Sequence, residues 1–154
     1  VSDDGKGTVH AALPYRHVLT LPVMPGAVRM ARETAEQALG EWGISAQEPA
    51  VGPALLILSE LVTNSVRHAA VTTEQVTVTY AAARDTFAFG VHDRHPYQPP
   101  LHSPALAASG GGLATVLELT HELAGSAVVR ADADGGGKSV WITLPLQRRT
   151  ARRG

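Results

Sequence analysis

The stretch "LSELVTNSVRHAA", residues 58–70, puts Glu60 and Asn64 into an otherwise apolar helical run. At 100° per residue, Leu55, Leu58, Val62, Val66 and Ala69 form one stripe, and Glu60, Asn64 and Arg67 stack on roughly the opposite side. Leu56 and Ile57 share the N-terminal part of that second side, so the helix begins apolar nearly all round. Protein normally covers such a helix, and a charge in its middle then needs a partner or a ligand. One reading is a solvated polar face, with Glu60 paired to Arg67 or to a neighbouring element. The other is a ligand site whose remaining walls lie elsewhere in the chain.

Outward from this helix, the pattern alternates between short strands and helices. "HVLTLPV" (17–23) is β-like, and "GAVRMARETAEQALGEWG" (26–43) carries apolar residues at helical spacing. "EQVTVTYAA" sets Val76, Val78 and Tyr80 on one side, which predicts a half-buried strand. "DTFAFGVHD" alternates likewise and places Asp93 on the side of Phe87, Phe89 and Val91. The Pro-rich residues 94–109 predict a loop, and "GGGLATVLELTHELAG" (110–125) predicts a glycine-led helix. "SAVVRADA" and "KSVWITLPL", joined by "DGGG", predict a hairpin. The order β-α-α-β-β-loop-α-β-β predicts an α+β two-layer sandwich, with helices on one face of a mixed, mostly antiparallel sheet.

At 154 residues the chain has room for one domain with a proper core. The expected division is a flexible leader at 1–14, a single domain at 15–146 and a basic tail at 147–154. A net charge of −1 gives no reason to expect direct nucleic-acid binding. Arg148, Arg149, Arg152 and Arg153 read as a solvated end. There are no cysteines, hence no disulfide framework or thiolate metal site. No apolar run approaches the roughly 20 residues that span a bilayer, and the polar start does not resemble a signal peptide. A cytoplasmic protein without membrane contact is the expectation.

Two further features suit a ligand. Asp93, at a strand end and facing the helix layer, can accept a hydrogen bond from an amino group such as that of adenine; it can also simply cap a turn. "SGGGL" brings glycine backbone and free helix N–H groups to one place, which suits a phosphate or merely a hinge. His92, Asp93, His95 and His102 suggest a rival metal site, but consecutive strand residues 92 and 93 point to opposite faces.

Together, Glu60-x-x-x-Asn64 on a helix, a strand ending in Asp93, a loop and a Gly-rich turn into a helix resemble the ATP-binding fold of the GHKL superfamily. "SELVTNSVRHA", the short lid and the ending "GGGKSVWITLPL" look most like bacterial anti-sigma-factor serine/threonine kinases of the actinobacterial type. The likeness covers about residues 17–146. It implies that Asn64 coordinates Mg²⁺ through its carboxamide oxygen and that Glu60 is the general base. It also implies that Asp93 recognises the adenine amino group of ATP. Gly110, Gly111, Gly112 and Leu113 would wrap the phosphates, Arg67 would help neutralise them, and residues 94–109 would form a lid. The implied partners are an anti-anti-sigma-factor protein, phosphorylated on a hydroxyl, and a sigma factor; a homodimer is usual in the family.

The chain departs from that family in two places. No glycines follow Asp93, where the family usually has Asp-x-Gly-x-Gly. Lys138 stands where many relatives have Thr or Ser, on the strand face of Val140 and Ile142, and its ammonium is expected to reach a phosphate or emerge at the strand end. The alternative function is a catalytically degenerate module that sequesters a regulatory partner. A third possibility is the ATPase module of a sensor histidine kinase.

Overall fold

The structure is a computed structural model that describes residues 13–69, 75–95 and 112–147. Its elements are β1 (Tyr15–Pro22), α1 (Ala27–Glu41), α2 (Val51–Ala69), β2 (Gln75–Ala83), β3 (Thr86–Asp93), α3 (Gly112–Glu122), β4 (Ser126–Ala131) and β5 (Lys138–Pro145). The order matches the expectation, and the α+β architecture holds. Of the loop expected at 94–109, residues 96–109 lie outside the described residues, as do the first residues of the leader (1–12) and most of the tail (148–154).

The strands form one sheet in the order β1-β2-β3-β5-β4, and every neighbouring pair is antiparallel. The sheet is therefore not mixed among the described residues. β3 and β4 run in the same direction on either side of α3, but β5 is antiparallel to both and lies between them. The hairpin return thus occupies the place where a parallel pair would have formed.

Period-two alternation builds the core. Val76, Val78 and Tyr80 on β2, Phe87, Phe89 and Val91 on β3, and Val140, Ile142 and Leu144 on β5 all belong to one buried cluster. Each such side chain contributes roughly 1.5–3 kcal/mol on full burial. α1 faces them with Ala27, Ala31, Ala35, Ala38 and Leu39. The small alanine face lets the Tyr80 hydroxyl donate to the carbonyl of Ala31 at 2.7 Å, and burial pushes that phenol's pKa up. The opposite sheet face is largely polar or small, with Thr77, Thr79 and Ser139 half-buried. There Trp141 lies across Gly90, where a Cβ would sit 2.5 Å from the indole.

The buried arc of α2 is broader than the expected stripe. Ala54, Ile57, Leu58, Leu61, Val62 and Ser65 are buried, whereas Leu55 and Val66 are only partly covered and Leu56 is 46% exposed. Ile57, expected on the second side beside Leu56, is fully buried. The reason is that α2 packs against α1, α3 and the sheet at once, so its covered arc exceeds the single stripe of a one-sided helix.

Candidate functional site

The site is assembled where the C-terminal half of α2 crosses the end of β3. Ser65, the residue after Asn64, donates its hydroxyl to Asp93 Oδ2 at 2.6 Å. This bond pins α2 to the strand end at a defined height. Glu60 and Asn64 lie one turn apart, both half-buried, and Arg67 is exposed on the same side. Among the described residues none of the three makes a side-chain hydrogen bond or ion pair. The expected Glu60–Arg67 pairing is accordingly not made.

Asp93 is fully buried at the end of β3. Register places Lys138 directly across from it on β5, and strand alternation turns both toward the helix layer. The Lys138 ammonium donates to Asp93 Oδ1 at 2.6 Å, with side chains 4% and 1% exposed. The His95 backbone N–H donates to the same oxygen at 3.0 Å. The ammonium also reaches the His95 carbonyl at 3.4 Å. Lys138 thus does not emerge at the strand end; it neutralises a buried carboxylate, which otherwise carries a large desolvation cost.

The β4–β5 turn holds this pair in place. Gly137 packs so closely that a Cβ there would lie 2.6 Å from the Asp93 carbonyl oxygen and 2.5 Å from Asp132 Oδ2. Outside the pair, His92 Nε2 sits 3.0 Å from Asp132 Oδ2. A carboxylate can only accept, so that nitrogen carries the proton. Arg94 bridges Asp132 at 2.5 Å and Asp134 at 2.9 Å. Both carboxyls are held below the usual carboxylate range, Asp132 first by the His92 hydrogen bond and Asp134 first by that of Arg94. His92 and Asp93 therefore serve opposite faces with separate partners. Among the described residues no group of three or more His, Asp or Glu is placed to hold a metal; His102 lies outside them.

Gly112 opens α3, and Leu113 packs against the core; Gly110 and Gly111 lie outside the described residues. α3 packs on α2, so the helix expected to meet phosphates neighbours the helix carrying Glu60 and Asn64. Ser65 and the Asp93 partnership of Lys138 were missed by sequence reasoning. The alternation that puts Lys138 on the face of Val140 was visible; its register against Asp93, 45 residues away, was not.

As a donor set, the exposed end of this arrangement is chemically suited to Mg²⁺ and phosphate: a carboxamide oxygen is a hard ligand, and a half-buried carboxylate one turn away can take a proton. The inner end offers a carboxylate already met by three donors.

A family model described as histidine kinase-like ATPase domain matches residues 21–144. No curated protein sequence matches the chain. Among solved structures, the SiaB–SiaC complex from Pseudomonas aeruginosa aligns over 94% of this chain and 95% of that one, with a TM-score of 0.55 and 10% identity. The catalytic domain of the histidine kinase ThkA aligns over 84% and 97%, with a TM-score of 0.52 and 13% identity. Full-length ShkA in complex with AMPPNP aligns over 88% of this chain, with a TM-score of 0.53 and 23% identity. The chain spans about a third of ShkA, 33% of its length. At these identities the likenesses show a shared fold.

Proposed function

The chain belongs to the histidine kinase-like ATPase domain family, and from that membership we propose that it is a Mg-ATP-dependent protein serine/threonine kinase of the partner-switching type. Its substrate would be a hydroxyl on an anti-anti-sigma-factor protein, and its alternate partner a sigma factor. The observation that carries this reading is the pair Glu60 and Asn64, half-buried one turn apart on α2 and without a side-chain partner among the described residues. Polar groups in that setting are compatible with stability when a ligand supplies their partners.

In this reading Asn64 holds Mg²⁺, which would neutralise charge on the transferring phosphoryl group. Glu60 accepts the proton of the attacking hydroxyl. Arg67 and, as the resemblance implies, Gly110 to Leu113 would complete the phosphate end, with Asp93 at the inner end. Phosphoryl transfer asks mainly for positioning and charge stabilisation, so this small set suffices. The test is Glu60→Ala: it keeps ATP binding and loses phosphoryl transfer by at least ~100-fold, read with labelled ATP and a hydroxyl-bearing partner protein. Undiminished transfer removes Glu60 from the mechanism.

A second reading is a partner-sequestering module without catalysis. The engagement of Asp93 by Lys138, His95 and Ser65 favours it. That SiaB was solved as a complex with SiaC is in keeping with a partner protein under either reading. Transfer activity to any hydroxyl partner separates the two.

A further inference from the structure

The Lys138–Asp93 pair has a consequence for which nucleotide the site accepts. We propose that Lys138 is a specificity-determining residue: its ammonium occupies the Asp93 acceptor that a purine 6-amino group would use, so a nucleoside triphosphate is held without that amino group being read. The inference rests on the nucleotide-binding reading of α2.

A carboxylate offers roughly four lone-pair positions. Lys138 and His95 fill those of Oδ1, and Ser65 takes one of Oδ2. The last position is closed to solvent, because the Asp93 side chain is only 1% exposed. With that position closed off, an adenine amino group meets Asp93 only where one of the present donors gives way. The donor facing the site from β5 is an ammonium, whose full positive charge adds a Coulomb attraction to the carboxylate that an uncharged amine lacks. A neutral aromatic amine therefore loses the exchange, and it would also leave the Lys138 charge buried at 4% exposure with no carboxylate opposite. The antiparallel ladder of β3 with β5 holds Lys138 opposite Asp93.

Lys138→Ser removes the ammonium and leaves one Oδ1 position of a buried carboxylate without its donor, beside the Ser65 and His95 bonds that remain, for the base to fill. Asp93 then reads the amino group, and discrimination appears where there was none. A site that hydrogen-bonds a substrate group rejects the analogue lacking it far more strongly than an apolar site does.

The experiment is titration calorimetry of the wild-type chain and of Lys138→Ser with Mg²⁺ and either ATP or purine riboside triphosphate, which lacks the 6-amino group. Wild type is expected to bind the two with affinities within about threefold of each other, a difference too small for a buried hydrogen bond. Lys138→Ser is expected to prefer ATP by roughly tenfold or more. Wild type preferring ATP by that margin overturns the proposal, as does a folded Lys138→Ser that does not discriminate. Lys138→Met, which keeps the stem volume, replaces the serine variant if circular dichroism shows the latter unfolded. The wild-type comparison depends on neither variant. If neither triphosphate binds wild type or variant, the nucleotide reading itself falls and takes this proposal with it. Binding with the wrong preference overturns only the role of Lys138.

Discussion

At the scale of single residues, the buried ion pair is the feature with the largest energetic consequence. Breaking a buried pair strands a charge, at a cost of roughly 3–5 kcal/mol. Lys138→Met is therefore expected to lower stability by about that amount in urea unfolding, whereas adding Asp93→Leu to it returns much of the loss, because no charge remains to be solvated. A single variant costing under about 1 kcal/mol would mean that the pair is not buried as described. Glu60 and Asn64 differ from this pair in kind: they were legible from their place in an apolar run, since a carboxylate and a carboxamide among Leu and Val demand an explanation. Ser65 offered no such signal. A serine on a helix is ordinary, and only the crossing of α2 over β3 gives its hydroxyl a carboxylate to meet.

At the scale of elements, glycines govern where strands and turns approach. Gly90 lies beneath the Trp141 indole, and overpacking a tight contact costs typically 1–3 kcal/mol. Gly90→Ala should lower stability by roughly that amount and change Trp141 fluorescence; unchanged emission and stability would show that the indole does not rest there. The β4–β5 turn makes a pH prediction. Asp132 and Asp134 have folded values below the usual carboxylate value, so their stabilising contribution is present above about pH 4 and lost as pH falls through the folded values. Thermal unfolding between pH 5 and 3 should therefore fall less steeply in Asp132→Asn than in wild type, and the difference should shrink in high salt. Equal slopes would mean that the His92 and Arg94 contacts do not tie down the turn. The strands themselves were readable: Val76, Val78 and Tyr80 are all buried, as alternation required. The arc of α2 was not, because helical period gives the direction of a face but not how many neighbours cover it. Ile57 became core because α1, α3 and the sheet all close on one helix.

At the scale of the whole molecule, the element order carried the fold, since helices between strands in this sequence must gather on one side of a single sheet. The wholly antiparallel pairing was not readable, because it depends on β5 inserting between β3 and β4. No described helix is long and apolar enough to cross a membrane. The assembled molecule brings to α2 an engaged carboxylate, Asp93 of β3 behind Ser65, and a half-buried polar pair, Glu60 and Asn64. If that pair is built for metal-bound phosphate, affinity should come from the phosphates and depend on the ion. The most direct measurement is calorimetric titration of the wild-type chain and Asn64→Ala with ATP, with and without Mg²⁺. The expected result is saturable wild-type binding that weakens at least ~10-fold without Mg²⁺, and an Asn64→Ala variant indifferent to the ion. Binding that ignores Mg²⁺ in both proteins, or no binding to wild type at all, would contradict it.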